Sequence, residues 1–169
     1  MSMDPDTKKT VLRIIPYGIY VVTAKTAAGE IAAATVNWVT QTSFEPPLVA
    51  VAVKADSGAL KVIGEARGFA LNFLGKGQQG FAFAFFKPAN ADDGTINGEA
   101  YHDGMSGAPI LDGAPASIEC KLVDIVTHGD HHLVLGEVVN AEARTPIEGR
   151  PDVAGLHMNE LGDNVFYGG

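Results

Sequence analysis

Cysteine is almost absent: Cys120 stands alone among 169 residues, so no internal disulfide can form, and the paired cysteine spacing of zinc or iron–sulfur sites is missing. A reducing, cytoplasmic compartment is the expectation. Long apolar runs are lacking too. The longest aliphatic stretch is Leu48 to Val53, against the roughly 18 to 20 residues that a bilayer span needs. The opening Met1-Ser2-Met3-Asp4-Pro5 has neither the basic nor the apolar region of a secretory signal. Basic charge is scarce, with 12 Lys and Arg against 20 Asp and Glu and a formal charge of −8. That field repels phosphodiester backbones and anionic headgroups, so neither nucleic acid nor a membrane is expected as a partner. No Gly-x-Ser-x-Gly elbow and no Walker-type loop occurs. Serine hydrolase and kinase chemistry therefore fall away, and a Rossmann dinucleotide fold is not expected.

What is present is a chain that is 46% hydrophobic, enough for a buried core in one domain spanning 1–169. Strand signals, rich in Val, Ile, Leu or Phe and bounded by turn residues, fall at 19–24, 48–54, 68–74, 116–126 and 133–141. Leu48 to Val53 has no polar face and is read as a central strand covered on both sides. In 117–125 polar residues recur at Ser117, Glu119, Lys121 and Asp124, so one side of that strand is expected to meet solvent. Helices are fewer: 58–66 with Ser57 as N-cap, 78–86, and 7–15. Residues 87–113 read as turn-rich, punctuated by Asp92-Asp93-Gly94 and Asn97-Gly98. Many short strands with two or three inserted helices imply a mainly β barrel or sandwich.

Three segments carry candidate chemistry. Ala32 to Pro47 leads small residues into a dense run of hydroxyl and amide side chains, a mix suited to a planar heteroaromatic ring with carbonyl edges. The same run reads as an edge strand with threonines on its wet face, and composition alone favours that plainer reading. Lys54-Ala55-Asp56-Ser57-Gly58 delivers a Lys and a hydroxyl to a helix start, a seat for phosphate or merely an N-cap beside a solvated Lys. His128-Gly129-Asp130-His131-His132 invites a metal reading, but strand alternation sends neighbours to opposite faces, and no metal site is expected. Asp130 is placed to orient His131, leaving its other edge to a ligand.

In order along the chain, Tyr17-Gly18-Ile19-Tyr20-Val21-Val22-Thr23, Thr35-Val36-Asn37-Trp38-Val39-Thr40-Gln41 with the Pro46-Pro47 pair, Phe69-Ala70-Leu71-Asn72-Phe73-Leu74, Gly107-Ala108-Pro109-Ile110-Leu111 and Gly129-Asp130-His131-His132 resemble the flavin reductase-like family. The resemblance runs from about Tyr17 to the closing Tyr167-Gly168-Gly169 and implies an FMN-binding split β-barrel of Greek-key type. It implies that Thr35, Asn37, Trp38 and Thr40 meet the polar edge of the flavin ring and that Lys54 and Ser57 hold the FMN phosphate. It places His131 where a nicotinamide would stack, and Phe81 and Phe85 near the ring. One departure stands out: Ser57-Gly58-Ala59 lacks a second hydroxyl that many members carry there.

The activity so implied is hydride transfer from NAD(P)H to flavin, with FMN as cofactor and a homodimer as the assembly. A nicotinamide–flavin pair needs orientation rather than a general base, which accords with the missing triad. The alternative is a non-enzymatic FMN electron-transfer module that serves a protein redox partner.

Overall fold

The computed structural model describes residues 2–169. Helix α1 (Pro5–Leu12) opens the chain, its N-terminus closed by the Asp4 carboxylate, which accepts from the Thr7 amide at 2.8 Å. Four strands follow, β1 (Tyr20–Lys25), β2 (Ile31–Val36), β3 (Val39–Ser43) and β4 (Leu48–Lys54), then α2 (Gly58–Ala66) and β5 (Gly68–Phe73). A short α3 (Gln79–Ala84) leads into β6 (Ala91–Asp92), β7 (Thr95–Ile96), β8 (Glu99–Asp103) and β9 (Pro109–Leu111). Two long strands, β10 (Ala116–Val126) and β11 (His131–Ala143), precede α4 (Pro151–Ala154) and a single 3₁₀ turn at Met158–Glu160.

Seven strands make one antiparallel sheet in the order β2-β1-β5-β10-β11-β4-β3. Its two edge strands, β2 and β3, are consecutive in sequence and joined only by Asn37 and Trp38. Three Cα steps span at most roughly 11 Å. The connection therefore forces the sheet to curl until its edges meet, a barrel split along one seam. Beside that seam the Ala52 amide donates to the Trp38 carbonyl at 2.9 Å, which carries the β3–β4 ladder one rung into the connection. The mainly β, split-barrel expectation is met, and among the described residues there is no parallel βαβ unit. Gly75-Lys76-Gly77-Gln78-Gln79-Gly80 does have Gly-x-Gly-x-x-Gly spacing between β5 and α3. Yet β5 runs antiparallel to both neighbours and α3 has six residues, so this is not a Rossmann turn.

β1 shows how one strand serves two cores. Val22 and Ala24 point into the barrel with Val51, Val53, Phe69, Leu71 and Cys120, while Val21 and the preceding Ile19 face a second cluster with Leu74, Phe85, Ile96 and Leu156. Inside the barrel Gly136 admits the Phe69 ring, since a Cβ there would lie 2.5 Å from its edge. α2 presses Ala59, Val62 and Ile63 into the first core.

Two local expectations need correction. β4 is an interior strand but stands one place from the sheet edge, with Ala52 only half-buried and Lys54 exposed. In β10 the polar face meets solvent at Lys121 and Asp124, whereas Ser117 and Glu119 are buried. Glu119 accepts from the Met105 amide at 3.2 Å, the Ser106 amide at 2.7 Å, the Ser106 hydroxyl at 2.5 Å and the Asn140 amide group at 2.9 Å. Those donors compensate its burial and fasten the 104–107 loop to the barrel. The turn-rich stretch after α3 carries the small sheet β6-β7-β8-β9. Its expected turns lie at Asp93-Gly94 and Asn97-Gly98, all four residues at positive φ, as tight hairpin turns require.

Candidate functional site

Polar and aromatic side chains gather at the seam, beside a groove that Tyr17 and Tyr167 help line. Asn37 is buried, and Trp38 lies beside it with its ring centroid 4.7 Å from that of His131 and 6.4 Å from that of Tyr17. His131 reaches this place because β11 pairs with β4: His131 stands opposite Lys54 in that register. Paired residues of an antiparallel ladder project from the same face. A Lys 77 positions earlier in the chain is thereby brought beside the imidazole.

Both ring nitrogens of His131 are engaged. Nδ1 lies 2.8 Å from Asp130 Oδ1 and Nε2 lies 2.6 Å from the Tyr167 hydroxyl. A carboxylate on Nδ1 favours a proton there, leaving Nε2 to accept from the phenol. The His131 hydrogen bond and charge hold the Asp130 carboxyl below the usual carboxylate range. Burial pushes the Tyr167 phenol up; the Lys54 ammonium pulls the other way, and the Asp130 charge adds to the rise. One donor of the groove has no acceptor at all: the Trp38 indole N–H is buried and unpartnered. A buried donor without an acceptor costs about 1–3 kcal/mol, so it is a place where an acceptor edge of a ligand would be welcomed.

The remaining candidates are placed as follows. Thr40 is exposed on the edge strand β3. The Thr35 hydroxyl donates to the Ala82 carbonyl at 2.7 Å and its amide to the Phe85 carbonyl at 3.2 Å, so Thr35 ties β2 to α3. Phe85 is 2% exposed and belongs to the second core; Phe81 leans on it with centroids 5.7 Å apart. Neither phenylalanine joins the Trp38 cluster. Lys54 is exposed, with Nζ 3.3 Å from Asp56. Ser57 caps α2: its oxygen accepts from the Leu60 amide at 3.2 Å, and its hydroxyl donates to the Lys54 carbonyl at 2.7 Å. Asn37, Trp38 and His131 thus gather at the seam with Lys54 on the rung opposite His131, while Thr40 lies on β3 just after the connection and Ser57 at the start of α2.

Two aromatic partners in the groove, Tyr17 and Tyr167, were not among the sequence candidates. Tyr167 belongs to a closing segment with no secondary structure, and Asn37 Nδ2 donates to its carbonyl at 2.8 Å. The signal for it was a Phe-Tyr-Gly-Gly ending in which two aromatics need a surface and no strand supplies one.

The chain is thus a split antiparallel barrel whose seam presents an indole, an amide and an imidazole, with Lys54 on the same rung as that imidazole. The sequence profile of the family described as Flavin reductase like domain matches residues 12–160, and the chain belongs to that family. It is 33% identical over 137 residues to a flavin reductase from Pseudomonas putida, covering 81% of this chain and 79% of that one. It is 29% identical over 135 residues to an NADH:FMN oxidoreductase from Rhodococcus qingshengii, covering 80% and 69%. Among solved structures, the Streptomyces globisporus C-1027 NADH:FAD oxidoreductase SgcE6 superposes with a TM-score of 0.74 at 28% identity, covering 99% of this chain and 98% of that one. Several further relatives are longer, and the chain spans 24 to 57% of three of them.

Proposed function

We propose that this protein is a flavin reductase that binds FMN at the seam and takes reducing equivalents from NAD(P)H. The observation that carries the reading is the buried, unpartnered Trp38 indole N–H beside Asn37 and His131. Asn37 and Trp38 supply donors for a ring's carbonyl edge, with Thr40 alongside on β3 and Thr35 holding α3 behind them. Phe81 and Phe85 serve that backing. Lys54 offers the cation for a phosphate, and Ser57 presents the α2 N-terminus, whose free amides favour an anion.

When bound, the flavin supplies the capacity to accept a hydride from a nicotinamide. The chain's own contribution is placement and electrostatics: His131, oriented by Asp130, is set to position the donor, and the aromatic walls exclude water. No proton transfer by a side chain is required for that step. The relatives named NADH:FMN and NADH:FAD oxidoreductase support this reading over the electron relay.

A homodimer belongs to the same proposal, supported by an apolar cavity of about 830 Å³ along β10 and β11 that Phe73, Pro115, Ile118 and Ile147 help line. The −8 charge suits a basic protein acceptor, and one buried, unpaired cysteine suits the cytoplasm. Among the described residues no helix is long and apolar enough to cross a membrane.

The test is to mix the protein with FMN and NADH and follow the nicotinamide band at about 340 nm. Steady oxidation supports the reductase. Bound yellow flavin without turnover would point to the relay, and failure to bind any flavin would remove both.

A further inference from the structure

The groove is not open. The closing segment, Val165 to Gly169, folds back across it: Val165 packs on the second core and its amide donates to the Gly162 carbonyl at 3.2 Å, while the contacts further along use the candidate site and the N-terminal helix with its cap. Asn37 Nδ2 donates to the Tyr167 carbonyl at 2.8 Å, and the Tyr167 phenol meets His131 Nε2 at 2.6 Å. The Tyr167 ring lies 5.5 Å from Trp38, centroid to centroid. Beyond it, Arg13 Nε donates to the Gly168 carbonyl at 3.0 Å, and the Arg13 guanidinium sits 4.2 Å over the Phe166 ring.

This attachment is of an unusual kind. The segment pairs with no strand, and Phe166 and Tyr167 remain 53% and 48% exposed. A strap held by a few side-chain contacts at half-exposed positions belongs to the low-stability end of a fold, where local opening is easy. It nevertheless takes up the Asn37 donor and covers the indole N–H without giving it an acceptor. A backbone carbonyl on Asn37 and an aromatic ring against Trp38 are what a flat ring with a carbonyl edge would itself present there.

We propose that Val165–Gly169 is a displaceable strap that occupies the flavin-ring groove and must lift before the ring can enter. The proposal rests on the seam being the flavin site, as argued above. Lifting frees Asn37, His131 and Trp38 together, because all three are held through Tyr167. The segment therefore sets how fast and how tightly FMN is taken up, independently of the residues that recognise it.

The experiment uses the full chain and two variants, a truncation ending at Asn164 and Tyr167→Phe. In the protein without flavin, acrylamide quenching of Trp38, the only tryptophan, reads whether the strap covers the groove. Stopped-flow mixing with FMN reads uptake. Truncation is expected to raise Trp38 quenching clearly and to speed FMN association several-fold with a lower dissociation constant. Tyr167→Phe, which loses only the phenol contact to His131, is expected to move uptake less but in the same direction. Unchanged Trp38 quenching on truncation would overturn the proposal. So would slower or weaker FMN uptake, which would make the segment part of the flavin's own wall. If neither the full chain nor the truncation binds FMN while quenching still rises, the strap is present but the flavin-site reading fails, and the proposal falls with it.

Discussion

Lys54 and His131 stand directly opposite one another in the β4–β11 ladder. That single rung joins the two halves of the proposed site, the cation at the end of β4 and the imidazole at the start of β11. Because paired side chains project from one face, a ligand with an anionic tail and a flat ring can reach both without the backbone moving.

Lys54→Ala is expected to weaken FMN binding by about 1–3 kcal/mol, the range of a charge-assisted hydrogen bond. Lys54 is exposed and its Asp56 partner lies at 3.3 Å, so the fold has little to lose and the melting temperature is expected to stay put. Isothermal titration with FMN checks this. An unchanged dissociation constant removes Lys54 from the site.

His131→Ala is expected to leave FMN bound and to slow flavin reduction by NADH. Asp130→Asn is expected to give a smaller loss in the same direction, since it keeps the ring but weakens its orientation. Rapid-mixing kinetics with saturating FMN separate the two steps. Equal loss of flavin affinity would show that His131 has a structural role.

Glu119 predicts a pH dependence of stability. Burial alone would push its carboxyl up, yet hydrogen bonds from Ser106, Asn140 and Met105 outweigh burial and hold it below the usual range. A depressed folded-state value means that the stabilisation is present above the ordinary carboxylate range and is lost as pH falls through the folded-state value. Glu119→Gln is therefore expected to cost about 1–3 kcal/mol near neutral pH, with the difference from wild type shrinking in acid. Thermal melts across a pH series measure it, and a constant difference would contradict the account.

Cys120 is buried, and that burial, with the Glu119 charge adding, pushes its thiol up to about 12. It is expected to resist iodoacetamide in the native protein at mildly alkaline pH and to react once the protein is unfolded. Intact-mass spectrometry reads the result directly.

Much of the secondary structure was legible locally. The bounds of β10 and α2 are visible in the alternation of 116–126 and in the Ser57 cap, because both signals are short-range. The closure of the sheet was not legible. Nothing in 31–43 announces that β2 and β3 lie at opposite edges, since strand order depends on pairings many residues apart. The same limit hid the burial of Glu119, whose donors come from Met105, Ser106 and Asn140, and the place of Tyr167, whose partners Asn37 and His131 lie 130 and 36 positions away. Thr35 and Phe85 show the opposite case. The motif marked them, and the structure puts the Thr35 hydroxyl on α3 and the Phe85 ring in the core.

The most direct measurement is titration of the protein with FMN while following the emission of Trp38. With one tryptophan in the chain and that residue at the seam, the account predicts saturable quenching that Lys54→Ala shifts to higher FMN concentration. Emission that stays unchanged while flavin binds elsewhere, or no binding at all, would contradict it.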